Sequence, residues 1–361
     1  MLVKGKLTQA IQWNEEKYTL EVIDQRLLPF KFKIIELKTS QQIFDAIKDM
    51  VVRGAPVIGG TAAYGMYIAF LESLENGKVN IQKLKNKAIF LKSSRPTAVN
   101  LMFAVDSIFR KISTNTKAKE VLSWAKAYAQ KDIDDCLQIG KAGLPLIEDI
   151  YNNKQETVNI LTHCNAGWLA TGEYGTATAP IYLAHDKGIP VHVWVDETRP
   201  RNQGANLTAW ELQQHGVPFT IVADNTGGHL MQHNMVDMCI VGSDRTTVNG
   251  DVANKIGTYL KALAAYDNRI PFYVALPLST IDFDMKDGIK NIPIEKRDTE
   301  ELTHMSGINE NKEIQRIRVF PENVQVANYA FDVTPAKYIT ALITEKGIVQ
   351  AEKQAIRLLK S

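Results

Sequence analysis

From residue 158 onward, short runs rich in β-branched residues at 158–161, 191–195, 219–222, 238–241 and 272–275 alternate with helical stretches at 176–187, 205–215, 227–234 and 252–265. The runs have strand length, and the stretches between them are on the scale that crosses over between parallel strands. Few folds accommodate that alternation. It predicts an α/β fold with a C-terminal doubly wound, Rossmann-like parallel sheet over residues 151–361.

The chain before this region reads differently. Apolar runs at 18–23 and 32–35 predict a small β-sheet at the start. Thr39 and Ser40 then supply a helix cap, Ile43, Ala46, Ile47 and Met50 recur at helical spacing, and helical patterns continue to about residue 150. The nearly uncharged stretch 55–71, with Pro56 at its start, is short for a bilayer span and reads as a buried helix. Residues 1–150 are therefore expected to form a mostly helical N-terminal domain with a small sheet, the boundary lying in the polar segment 147–156.

Composition narrows the partners. The 361 residues are 45% hydrophobic and 23% charged, with 42 basic against 40 acidic residues and a net charge of +2. No basic block or aromatic-interleaved basic stripe is present, so neither nucleic acid nor a membrane is the expected partner. The first residues lack the apolar core of a signal peptide, and the three cysteines, Cys136, Cys164 and Cys239, have no CxxC spacing. A cytoplasmic protein without a disulfide framework or zinc ribbon is expected.

Two loops carry the candidate chemistry. Thr162-His163-Cys164-Asn165-Ala166-Gly167 and Gly242-Ser243-Asp244-Arg245 each follow an apolar run. In an open α/β sheet, ligands gather beyond the carboxyl ends of the strands, so loops leaving neighbouring strands would present a thiol and a carboxylate to one small molecule. A free cysteine is more often a small buried hydrophobe, the reading that suits Cys136 and Cys239. Cys164 differs in standing at a strand end ahead of a glycine-rich helix entry. The plain alternative for Asp244 is a turn cap or an ion pair with Arg245.

Other motifs rank lower. Gly167, Gly172 and Gly175 lack the GxGxxG spacing of a dinucleotide site and suit close approach to a small phosphorylated ligand. Arg53-Gly54-Ala55 and Arg95-Pro96-Thr97 each place a guanidinium before a helical pattern, as phosphate clamps or as packing ion pairs. His229 and His233 share a helical face but lack the glutamate of a metalloprotease helix, so no metal is expected.

These segments, together with Glu197-Thr198-Arg199-Pro200, Gln203-Gly204-Ala205, Leu207-Thr208-Ala209-Trp210-Glu211-Leu212 and the run from Asn249 to Thr258, closely resemble the methylthioribose-1-phosphate isomerase family. The resemblance spans roughly residues 40 to 285. The same superfamily holds ribose-1,5-bisphosphate isomerases and non-catalytic regulatory subunits of the eukaryotic initiation-factor exchange complex, which fold alone does not separate. The resemblance implies catalysis by Cys164 and Asp244. It implies substrate contacts at Arg53, Gly54, Ala55, Arg95, Gln203, Asn254 and Lys255, with no metal or organic cofactor, a phosphorylated pentose as the partner, and a homodimer.

It also implies a reaction, aldose 1-phosphate to ketose 1-phosphate. Phosphate on carbon 1 leaves the sugar no free aldehyde. Asp244, held partly protonated by burial, would then open the ring, and Cys164 would move the carbon-2 proton to carbon 1 or stabilise that transition state. A hydride shift in a water-poor pocket is the other route, and solvent deuterium distinguishes the two. Trp168 and the segment 224–229 depart from the family pattern, which leaves the carbon-5 substituent open between methylthio and hydrogen.

Overall fold

The computed structural model describes residues 1–96 and 98–360, so Thr97 of the Arg95-Pro96-Thr97 motif lies outside the described residues. The chain divides into two compact units, Met1–Leu137 with Gly167–Gly175, and Gln138–Ala166 with Thr176–Ser361.

The first unit opens with an antiparallel three-stranded sheet of Ile11–Asn14, Thr19–Ile23 and Ile34–Leu37. Helix Ser40–Lys48 follows, closed at its start by a capping box in which Thr39 and Gln42 satisfy each other's backbone N–H. Helix Ala55–Glu72 is apolar all round, and its residues from Pro56 to Phe70 are buried, as a helix inside a core must be. Glycines let its neighbours come close. A Cβ on Gly59 would lie 2.7 Å from the Tyr128 hydroxyl, and one on Gly65 would lie 2.7 Å from Ile43. Helices Ile81–Lys92 and Val99–Phe109 complete this helical region. The long helix Ala118–Lys154 gives its residues up to Leu137 to the first unit and those from Gln138 to the second.

The second unit is built on a seven-stranded sheet. Its order is Phe219–Val222, Val191–Asp196, Val158–Thr162, Met238–Val241, Phe272–Ala275, Ala341–Thr344 and Gly347–Val349. All neighbours pair in parallel except the last, an antiparallel hairpin edge. The parallel strands thus run outward in two directions from the boundary between Val158–Thr162 and Met238–Val241, the doubly wound arrangement. Central strands are buried on both faces, which explains why Met238-Cys239-Ile240-Val241 has no polar alternation. Each Val, Leu or Ile removed from water there contributes about 1.5–3 kcal/mol.

One expected element is different. Residues 252–265 form strand Val252–Lys255 and then helix Thr258–Asp267, where a single helix was expected. The Asn249-Gly250 turn reverses the chain, with Gly250 at φ +92° and a Cβ there only 2.3 Å from the Ala351 carbonyl oxygen. The strand then pairs antiparallel with Arg245–Thr247 and with Phe331–Thr334 in a second, four-stranded sheet. Among the described residues no helix is long and apolar enough to cross a membrane.

Candidate active site

The two candidate loops leave neighbouring parallel strands, since Ile160 pairs with Met238 and Leu161 with Cys239. That pair flanks the point where the strand order reverses, the place where such sheets bind ligands.

Cys164 is buried and adopts φ +65°, a left-handed conformation that non-glycine residues seldom take. Its backbone N–H donates to the Thr198 hydroxyl at 2.8 Å, and its carbonyl accepts from the Thr208 hydroxyl at 2.7 Å. Beside it, the buried carboxylate of Glu211 accepts from the Asn165 amide at 3.0 Å and from the Tyr182 hydroxyl at 3.2 Å. Burial, reinforced by Glu211, pushes the Tyr182 phenol well above its ordinary range, so it stays a hydrogen-bond donor.

Behind Cys164 lies a buried charged group. His163 Nδ1 is 2.8 Å from Asp196 Oδ2, and its Nε2 is 2.8 Å from the Ile256 carbonyl oxygen, so the ring is fixed at both ends. The Lys261 ammonium stands 3.1 Å from Asp196 Oδ2 and donates to the Asp224 carbonyl oxygen at 2.5 Å. His163, Asp196 and Asp224 bring ligand atoms within 4.8 Å of one another, a spacing compatible with a metal ion. Their chemistry argues against one. Lys261 already places a cation on Asp196, and both Asp224 carboxylate oxygens accept backbone N–H groups, from Thr198 and Arg199, at 2.7 Å. The exposed rings of His229 and His233 lie 4.2 Å apart between centres and tilted by 44°, with His233 Nδ1 2.8 Å from the His229 carbonyl oxygen.

Asp244 begins a hairpin. Its N–H donates to the Ala253 carbonyl at 2.9 Å, and the adjacent Arg245 pairs with Ala253, which puts the Asp244 backbone beside the strand carrying Asn254 and Lys255. The side chain is exposed, against the expectation that burial holds its proton. The hairpin leaves the buried sheet at this residue, and Thr246, Thr247 and Val248 turn inward only afterwards. Asn254 is buried and donates to the Thr258 hydroxyl at 3.1 Å, while the Lys255 ammonium sits 4.7 Å from the Phe331 ring centre. Asp332 anchors the next turn by accepting from the N–H groups of Gly257 at 2.7 Å and Tyr259 at 3.2 Å. Burial draws its carboxyl upward in spite of those bonds.

Gln203 is buried on the loop after Val191–Asp196, and its Oε1 has no hydrogen-bond partner among the described residues. Leaving such an oxygen unpaired costs about 1–3 kcal/mol, so it is a ready acceptor for a ligand hydroxyl. Gly204 beside it is obligatory, because a Cβ there would lie 1.7 Å from the Asp196 carbonyl oxygen. The π-helical turn Gly204–Thr208 that follows brings Thr208 to Cys164.

Cys164, Gln203, Asp244, Asn254 and Lys255 belong to the second unit, in which the bond from His163 to Ile256 ties the Cys164 loop to the end of the strand carrying Asn254 and Lys255. Arg53, Gly54, Ala55 and Arg95 belong to the first. There, Gly54 caps helix Ala55–Glu72 at φ +88°, with Pro56 in the first turn, and a Cβ on it would lie 2.5 Å from the Ala170 carbonyl oxygen. Arg53 is half-buried just before this helix start, where unpaired backbone N–H groups favour an anion. Arg95 is also half-buried, and its carbonyl accepts from the Ala98 N–H at 3.0 Å.

Sequence reasoning missed Thr198, Thr208, Asp196, Asp224 and Lys261 as parts of this site. Thr198 and Thr208 stood inside motifs already singled out, whereas Lys261 lies mid-helix without a local signal. The departures at Trp168 and 224–229 are structural in part. Trp168 is fully buried, and a Cβ on Gly227 would lie 3.0 Å from Leu161, so the helix Thr226–Gln232 packs tightly on the sheet.

Residues 51–351 match the initiation factor 2 subunit family. The methylthioribose-1-phosphate isomerase of Desulfatibacillum aliphaticivorans is 54% identical over 365 residues, covering 99% of this chain and 98% of that protein. The crystal structure of 5-methylthioribose 1-phosphate isomerase from Pyrococcus horikoshii OT3 superposes with a TM-score of 0.85 at 37% identity, covering 98% of this chain and 96% of that one. The translation initiation factor eIF-2B subunit delta from A. fulgidus gives 0.79 at 38% identity, covering 95% of this chain and 96% of that one.

Proposed function

We infer the function of this chain from the family it belongs to, the methylthioribose-1-phosphate isomerases within the initiation factor 2 subunit family. It is an aldose-ketose isomerase that converts 5-methylthioribose 1-phosphate to 5-methylthioribulose 1-phosphate in methionine salvage. The observation that carries this reading is the 54% identity to an isomerase over nearly the whole length of both chains, in a chain that keeps a thiol and a carboxylate on the loops after the two strands flanking the switch point.

In this reading Asp244 delivers a proton to the ring oxygen and opens the sugar. Cys164 then serves the carbon-2 to carbon-1 transfer. In the proton route the bond from carbon 1 to the ring oxygen breaks as that oxygen takes the proton, the C2–H proton passes to a base to give an enol phosphate ester, and a proton returns at carbon 1 as the carbon-2 hydroxyl loses its own to form the ketone, so no oxidant or reductant is consumed. Exposure of Asp244 in the free chain means that bound substrate, rather than the protein interior, must exclude water from it. Arg53, Arg95 and the Gly54 and Ala55 amides are assigned to phosphate, and Gln203, Asn254 and Lys255 to substrate oxygens. Residues 1–150 supply the phosphate-binding part and 151–361 the catalytic part, and the working state is a cytoplasmic homodimer.

The carbon-5 group is read as methylthio, with 5-deoxyribose 1-phosphate as a second substrate, because an apolar pocket separates small alkyl differences by only about 1–3 kcal/mol. The likeness to the eIF-2B subunit delta structure favours a regulatory reading instead. Ketose formation by the purified protein from 5-methylthioribose 1-phosphate, 5-deoxyribose 1-phosphate and ribose 1,5-bisphosphate tests both. Turnover of the first establishes the isomerase, turnover of the last alone makes it a bisphosphate isomerase, and turnover of none supports a regulatory subunit.

A further inference from the structure

We propose that Thr198 is a positioning residue for Cys164, holding it in the left-handed conformation through a hydroxyl clamp. The kinetic part of this proposal rests on the isomerase reading.

A cysteine at φ +65° keeps that conformation only where its surroundings fix it. Here the backbone is gripped on both sides. Its N–H donates to the Thr198 Oγ1 at 2.8 Å, and its carbonyl oxygen accepts from the Thr208 Oγ1 at 2.7 Å. Both hydroxyls are buried, so no water competes for these bonds. The Thr198 hydroxyl has its direction set as well, because it donates to the Asp196 carbonyl oxygen at 2.9 Å and therefore presents a lone pair to Cys164.

Thr198 is itself held in an unusual conformation, at φ +68°. Asp224 fixes it, its two carboxylate oxygens accepting the N–H groups of Thr198 and Arg199 at 2.7 Å each. Lys261 ties the Asp224 backbone to Asp196. On the other side, Gly204 permits the close passage past Asp196 that leads into the turn bearing Thr208. The fully buried hydroxyl of Thr198 thus sits at the crossing of the loops that follow Val158–Thr162 and Val191–Asp196. Its function is to aim the thiol through the Cys164 backbone.

The test compares Thr198→Val with Thr198→Ser. Valine keeps the β-branch and loses only the hydroxyl, whereas serine keeps the hydroxyl. Thr198→Val should lower kcat about 10²-fold, the scale of a misplaced catalytic group, while KM stays within about threefold. Thr198→Ser should remain within about threefold of wild type in both. Crystal structures should show residue 164 leaving the left-handed region in Thr198→Val and keeping it in Thr198→Ser. Thr208→Val removes the grip from the carbonyl side and should move kcat in the same direction, which keeps the proposal testable if Thr198→Val does not fold. Unchanged kcat with a left-handed Cys164 in Thr198→Val, or a Thr198→Ser variant as impaired as Thr198→Val, would overturn it. If wild type turns over no sugar 1-phosphate, the isomerase reading falls and the conformation of residue 164 in the variant crystals alone decides the clamp.

Discussion

The loops after Val158–Thr162 and Met238–Val241 leave adjacent strands, yet they treat their key residues in opposite ways. Cys164 is buried, conformationally strained and bound at both backbone groups by side-chain hydroxyls. Asp244 is exposed, and its N–H is taken by an ordinary antiparallel contact to Ala253. The difference teaches that the protein preorganises one half of the pair, while the role proposed for the other requires bound substrate to exclude water from it. A preorganised group makes its contribution without reorganising during reaction.

The largest effects should come from the two residues themselves. Cys164→Ser should reduce kcat by about 10³–10⁴-fold and Asp244→Asn by about 10²–10³-fold, within the range that positioned acids and bases supply. Steady-state assays on 5-methylthioribose 1-phosphate check both. The comparison sharpens if Asp244→Asn also raises KM, because closure over the exposed carboxylate would then form part of binding. It breaks if Cys164→Ser is indistinguishable from wild type.

A smaller effect is expected where the fold supports the cysteine. Gly204→Ala forces a Cβ against the Asp196 carbonyl oxygen, so it should destabilise the protein by about 3 kcal/mol. Gly228→Ala meets only Ala264 at 3.7 Å and should be nearly neutral. Thermal unfolding of the two variants, side by side, separates the tight turn at Gly204 from the open side of helix Thr226–Gln232 at Gly228.

The smallest effect concerns the far end of the Gln203 loop, where Arg201 pairs with Glu301 at 2.9 Å and Arg297 pairs with the same carboxylate at 2.6 Å. Burial alone would raise the Glu301 carboxyl, but Arg297 and then Arg201 hold it down at about 2. A lowered folded-state value stabilises above the ordinary carboxylate pKa, and that stabilisation is lost as pH falls from about 4.5 toward 2. Discounted for solvent screening of a partly exposed ion pair, Glu301→Gln should therefore cost about 1–2 kcal/mol at neutral pH and flatten the acid limb of the unfolding profile. An unchanged acid limb would show that the pair does not anchor the loop.

Much of this arrangement was legible in the sequence, and the reasons differ by element. The βαβ alternation announced the parallel sheet because doubly buried strands must be apolar throughout, as Met238–Val241 is. Helix Ala55–Glu72 was legible because its sequence has no polar face. The strand Val252–Lys255 was misread because Val252, Ile256, Tyr259 and Leu263 also fall at helical spacing, although the Asn249-Gly250 pair just before it is a hairpin signal. The position of the thiol and carboxylate at strand ends could be read locally. Their environments could not, since the Cys164 backbone is bound by the hydroxyls of Thr198 and Thr208, and Lys261 reaches Asp196 from a distant helix.

The most direct test of a shared site is the kcat of wild type, Cys164→Ser, Asp244→Asn and the double variant on 5-methylthioribose 1-phosphate, with substrate binding measured in parallel. If the thiol and the carboxylate serve one reaction, the double variant should lose about as much as the worse single variant, because residues acting as a unit are strongly non-additive. Binding should persist in all four. Wild-type kcat in either single variant would contradict the account.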